Sequence, residues 1–138
     1  VALAGSLALA LDKAVTGLPA RAAAIRKLND RLRAELSQYP KVRINSPANA
    51  VPQILNLSVK DVKGTVFQRE LDARGVCVSV KSACSSDGLP SRAVFAVSRD
   101  RRNALSSWRI SLSHLTTEAE LSEFLQAFDA CYHTLTQS

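Results

Sequence analysis

The 138-residue sequence has no methionine, only three cysteines, and five each of glycine and proline. Each scarcity removes a class of protein. The thiols stand at positions 77, 84 and 131, an odd number, far apart and without a C-x-x-C pair. A disulfide framework or a zinc knuckle therefore has little support, and a reducing cytoplasm fits better. The two histidines, His114 and His133, lie at no helical spacing from a cysteine, so no metal site is expected. Sparse glycine and proline, with no low-complexity tract and no repeat of solenoid period, exclude fibrous and repeat architectures. Aromatics are few as well, one tryptophan, two tyrosines and four phenylalanines, and none is interleaved with basic residues as a base-stacking surface requires. The net charge of +6 thus reads as a solvated face, with no nucleic acid as partner. No apolar run reaches the length of a membrane span: Val1 to Leu11 is almost wholly apolar, but Asp12 and Lys13 end it, and no basic segment precedes it as in a signal peptide. It reads as a buried helix. A chain without methionine that opens inside a helical pattern also reads as a piece of a longer protein.

What is present suffices for one domain, since 46% of the residues are hydrophobic. Ile25, Leu28, Leu32 and Leu36 recur at helical spacing, with Arg21, Arg26, Lys27, Arg31 and Arg33 outside that stripe. They predict a helix up to about Ser37, with a break expected at 17–19, where Pro19 removes a backbone donor. Val42 to Asn45 is a short strand. In the next, Ile54 to Val59, Leu55, Leu57 and Val59 face one way and Asn56 and Ser58 the other. Gly64 to Ala73 reads as a helix closed by Gly75, and Val76 to Val80 as a strand that buries Cys77. Residues 81–88 are small and polar, a loop. Ser91 to Val97 reads as a short helix and Arg99, Arg101 and Arg102 as part of a polar connection. Ser107 to Ser113 alternates, Trp108, Ile110 and Leu112 against Ser107, Arg109, Ser111 and Ser113. Thr117 and Glu120 form a capping box that opens a last helix with Leu121, Phe124, Leu125, Phe128, Tyr132 and Leu135 on its apolar side; Cys131 reads as core. The expectation is an α+β fold of two layers, a small sheet covered by helices on one face.

Two residues stand out as chemistry. Cys84 sits in the polar loop after a strand, where a thiol is accessible, although a small residue that happens to be cysteine would look the same. Arg109 is a lone guanidinium among hydroxyls on one strand face, a fork matched to a carboxylate, although most arginines are simply solvated.

Their order and spacing resemble the cysteine desulfurase family. The residues that carry the resemblance are Ser79, Ser82-Ala83-Cys84-Ser85, Pro90-Ser91, Ser106-Ser107-Trp108-Arg109-Ile110-Ser111-Leu112 and Thr116-Thr117-Glu118. Pro52-Gln53-Ile54-Leu55-Asn56-Leu57-Ser58 agrees with the family's P-x-I-L-N-x-S strand. Nearly the whole chain is covered, as the small C-terminal domain of a fold-type I enzyme dependent on pyridoxal phosphate (PLP). Val80 and Lys81 stand where the family usually has serine and glycine, and His114 where it commonly has arginine. The resemblance implies that Cys84 takes sulfur from L-cysteine as a persulfide, releasing alanine, and that Arg109 binds the substrate carboxylate. It implies that sulfur passes to acceptor or scaffold proteins, as in iron–sulfur cluster assembly, that the full-length enzyme is a homodimer, and that PLP is held by a lysine of a large domain. The family's S-x-H-K attachment motif is absent, so no PLP is expected on this chain and the chain alone is expected to be inactive. A selenocysteine lyase or an aminotransferase without sulfur chemistry would share Arg109 without needing Cys84. A non-catalytic alternative is a basic docking module formed by Arg99, Arg101 and Arg102.

Overall fold

Residues Ala2–Leu36 form one unbroken helix, α1, in the computed structural model, which describes residues 1–80 and 89–137. The predicted stripe is the one that packs: Ile25, Leu28, Leu32 and Leu36 are buried, with Asn29 among them. The break expected at Pro19 does not occur. The Arg21 side chain lies across Gly17 in the space a Cβ would take, and its guanidinium donates to the Ala14 carbonyl. The first half of α1 corrects a second expectation, since Leu3, Leu7, Leu11, Val15 and Leu18 are exposed, Leu3 by 87%. Geometry explains it: a helix of 35 residues is about 52 Å long at ~1.5 Å per residue, far more than strands of three to six residues can cover.

The sheet has three antiparallel strands in the order β1 (Val42–Ile44), β2 (Ile54–Val59), β3 (Ser107–Ser111). Leu57 is paired with Ile44 on one side and Trp108 on the other, so the alternation read in β2 and β3 puts Leu55, Leu57, Val59, Trp108 and Ile110 on one face. Against that face pack α1, α2 (Gly64–Asp72) through Phe67 and Leu71, and α5 (Glu118–Thr136) through Leu121, Phe124, Phe128 and Tyr132. Gly64 must be glycine because a Cβ there would lie 2.5 Å from the Ser107 carbonyl oxygen. Gly75, at φ 78°, turns the chain after α2 in the left-handed region as predicted. The α+β two-layer architecture is thereby shown, with two amendments.

First, the predicted strand at Val76–Val80 is reduced to a single bridge between Ser79 and Arg109. Its alternation survives: Val76, Val78 and Val80 are half-buried against the core, and Cys77, expected inside, is exposed because it falls on the opposite phase. Second, the stretch expected to be a polar connection holds helix α4 (Arg101–Ser106), next to α3 (Arg92–Ser98). Asp100 caps α4 by accepting from the Asn103 amide, 3.0 Å. The α4 segment covers the sheet's polar face, where Ser58 Oγ donates to the Asn103 carbonyl, 3.0 Å.

The capping box of α5 forms as read. Glu120 N–H donates to Thr117 Oγ1 at 3.2 Å, and Thr117 N–H donates to Glu120 Oε2 at 2.7 Å, which holds the Glu120 carboxyl below its usual range. Thr117→Ala is expected to lower stability by about 1 kcal/mol. A urea melt of this chain with an unchanged midpoint would remove the cap from the account of why α5 begins there.

Candidate active site

Strand β3 sends Trp108 and Ile110 into the core and Arg109 to the opposite face. Arg109 lies between Asn56 of β2, its register partner, and Ser79, with which it exchanges both backbone bonds: Ser79 N–H to Arg109 O at 3.1 Å and Arg109 N–H to Ser79 O at 2.6 Å. The half-buried side chain keeps Nε out of solvent with no hydrogen-bond partner among the described residues. Several other arginines of the chain are engaged. Arg31 pairs with Glu118 at 2.6 Å, Arg74 with Glu70 at 3.1 Å and Arg43 with Asp100 at 3.6 Å, while Arg33 clamps the carbonyls of Ser46 and Pro47. A buried guanidinium nitrogen left unpaired costs free energy unless a ligand satisfies it. An arginine so placed can take an anion, and its fork suits a carboxylate.

Around it the polar face is knitted together by groups that local sequence patterns do not single out. Asn45 Nδ2 donates to Asn56 Oδ1 and to Ser58 Oγ, each at 2.8 Å, and Asn103 Nδ2 donates to Asn45 Oδ1 at 2.9 Å. The sequence placed Asn56 and Ser58 on this face of β2; nothing in it linked them to Asn45 and Asn103.

Cys84 and Lys81 lie outside the described residues. Ser79, tied to Arg109, stands five positions before Cys84. The described chain resumes with Leu89 and Pro90, and Ser91 N–H then bonds the Ala104 carbonyl at 3.1 Å. Of the other thiols, Cys131 is buried and burial pushes its pKa up, away from the thiolate, whereas Cys77 is exposed. Arg99, Arg101 and Arg102 are exposed where α3 meets α4.

The described lysines do not fit a Schiff-base site. Lys13, Lys27, Lys60 and Lys63 are exposed, Lys27 beside Glu118 at 3.3 Å, and the Lys41 ammonium is spent on the Thr136 carbonyl at 2.8 Å. A lysine that holds a cofactor needs a desolvated setting and a free nitrogen, and none of these has both. Among the described residues no group of three or more His, Cys, Asp and Glu is placed to hold a metal ion, and no helix is long and apolar enough to cross a membrane.

Comparison with known proteins shows the family. The pattern of the aminotransferase class-V family matches residues 1–124, and the chain belongs to that family. Within it, curated relatives are cysteine desulfurases. That of Cereibacter sphaeroides is 34% identical over 106 residues, covering 75% of this chain and 27% of that protein. The IscS-like cysteine desulfurase of Mycobacterium tuberculosis is 32% identical over 130 residues, covering 91% of this chain and 33% of that protein. Among solved structures, a NifS-like protein superposes with a TM-score of 0.79 at 28% identity over 93% of this chain and 32% of that one. The chain spans about a third or less of the length of these proteins. The family implies PLP in a full-length enzyme.

Proposed function

We propose that this chain is the C-terminal small domain of a cytoplasmic cysteine desulfurase, a single domain whose large PLP-binding domain is absent from it. Arg109 carries the proposal: its backbone is fixed in the sheet, its Nε is buried with no partner among the described residues, and its strand resembles the family's carboxylate-binding motif. Arg109 binds the α-carboxylate of L-cysteine and orients it, and Cys84 supplies the nucleophile. The Cys84 thiolate attacks the substrate sulfur, a sulfur–sulfur bond forms and the substrate carbon–sulfur bond breaks. The electron pair stays with the substrate carbon, which takes up a proton to give alanine, and Cys84 keeps the persulfide. The cofactor supplies an electron sink in the rest of the enzyme. No step assigned to this chain runs through PLP, and the chain alone is expected to be inactive.

The persulfide passes to an acceptor or scaffold protein, with iron–sulfur cluster assembly as one use, and the exposed Arg99, Arg101 and Arg102 are where an acidic partner docks. The full-length enzyme is a homodimer. Its remaining part packs on the apolar stripe Leu3, Leu7, Leu11, Val15 and Leu18, which otherwise favours self-association.

Mass spectrometry of the full-length enzyme after incubation with L-cysteine tests the assignment. One added sulfur atom is expected on the peptide containing Cys84, lost in Cys84→Ser. Because Cys77 is exposed, it is the rival to watch: sulfur mapped to Cys77 while Cys84 stays bare would overturn the proposal.

A further inference from the structure

Asn56 and Arg109 face each other across β2 and β3, and their backbones show which kind of pair they form. Arg109 directs its N–H and carbonyl to Ser79, on its other side. Asn56 turns its own toward the β1 side: Asn45 N–H donates to its carbonyl at 2.8 Å, and its N–H donates to Ser46 Oγ at 2.9 Å. The two residues are therefore a non-hydrogen-bonded antiparallel pair, whose Cα atoms lie about 4.5 Å apart and whose side chains are close neighbours. An asparagine beside a guanidinium ordinarily offers it the amide oxygen. This one is turned away.

The orientation follows from one unambiguous acceptor. Ser58 Oγ lies 3.0 Å from the Asn103 backbone carbonyl, which can only accept, so the single hydroxyl proton is spent there. Ser58 Oγ must then accept from Asn45 at 2.8 Å, which makes the Asn45 atom Nδ2. That same nitrogen is 2.8 Å from Asn56, which fixes the Asn56 atom as Oδ1. With Oδ1 taken by Asn45, Nδ2 is the atom left for the β3 side, where Arg109 is the register partner of Asn56, and no acceptor among the described residues meets it. Arg109 and Asn56 together present only donors, one of them the buried Nε of Arg109. An anion with two oxygens satisfies such a pair.

We propose that Asn56 is a second substrate-binding residue, its Nδ2 donating to one oxygen of the substrate α-carboxylate while Arg109 holds the group by its fork; this rests on Arg109 being the carboxylate clamp. Asn45 and Asn103 are positioning residues: they keep the Asn56 oxygen off the guanidinium, so that the clamp is open to substrate.

The test uses the full-length enzyme with two competitors of L-cysteine, L-alanine and ethylamine, which differ only in the carboxylate. Asn56→Leu removes the donor, and L-alanine is expected to bind roughly ten- to a hundredfold more weakly, the range for a hydrogen bond to a charged group, with ethylamine unchanged. Asn56→Asp keeps the oxygen that Asn45 needs, so it preserves the network and carries the test if the leucine variant does not fold. It places a carboxylate against Arg109 and is expected to weaken L-alanine at least as much, again sparing ethylamine. Equal loss of both ligands would make Asn56 structural and overturn the assignment. A preference for L-alanine that collapses in Arg109→Gln but survives both Asn56 variants would sink Asn56 alone. A preference that survives Arg109→Gln too would sink the clamp itself.

Discussion

In the full-length enzyme, Arg109→Gln is expected to raise KM for L-cysteine by about two to three orders of magnitude while kcat falls much less. Truncating one member of a desolvated charge pair costs about 2–5 kcal/mol, and each ~1.4 kcal/mol is tenfold in affinity. The loss falls mainly on KM because the carboxylate carries the same charge in the bound substrate and in the transition state, so the arginine contributes binding that does not change along the reaction. Some loss of kcat is expected as well, since the clamp also orients the sulfur toward Cys84. Arg109→Lys separates charge from shape: it keeps the charge, loses the planar fork, and belongs between wild type and glutamine. Rapid-mixing measurement of substrate binding, beside steady-state kinetics, guards against reading KM as an affinity when chemistry is fast. If Arg109→Gln left both constants within about twofold, the buried Nε would have no bearing on substrate and the proposed site would be wrong.

Why Arg109 was legible and its neighbours were not is a matter of range. Alternation over Ser107–Ser111 is local, and it alone puts Arg109 opposite Trp108 and Ile110. The group Asn45, Asn56, Ser58 and Asn103 is assembled across separations of 11, 13, 45 and 58 residues, and no periodicity carries that information. The same contrast runs through the fold. Helix α5 announced itself by Thr117, Glu120 and its apolar stripe, whereas α4 is six residues long with no apolar period of its own. Its one advance signal was Asp100, an N-cap residue three positions before Asn103. At Val76–Val80, β-branched composition signalled an extended chain but could not say that its pairing would shrink to the bridge from Ser79 to Arg109. In α1 the composition revealed an apolar surface at Val1 to Leu11, yet burial depends on what lies alongside, and among the described residues nothing buries it. Cys84 was legible only as a motif, and it lies outside the described residues.

The largest expected effect on stability falls on Phe128, which is fully buried where four parts of the chain meet. Its ring centroid is 5.1 Å from Tyr39, beyond the end of α1, at a near-perpendicular 78°, and 5.2 Å from Phe67 of α2. It is 6.1 Å from Trp108 of β3 and about as far from Phe124 and Tyr132 of its own helix. Phe128→Ala leaves a hole bordered by aromatic rings, which relax into a void less readily than flexible aliphatic chains. The expected loss is about 3–5 kcal/mol, a large part of the ~5–15 kcal/mol that holds a domain of this size together. With a urea slope of ~2 kcal/mol per molar, the midpoint should fall by about 2 M. Phe128→Leu, which retains most of the volume, should lose much less. The site shares in the cost. Phe67 stacks on Trp108 at 5.1 Å and 17°, so Phe128 supports that stack from the side, and Trp108 is the residue before Arg109. In full-length enzyme that still folds, Phe128→Ala should therefore also weaken binding of carboxylate-bearing competitors. A variant with the midpoint lowered but the L-alanine affinity untouched would show that β3 holds Arg109 by its own ladder, without help from the core beneath it.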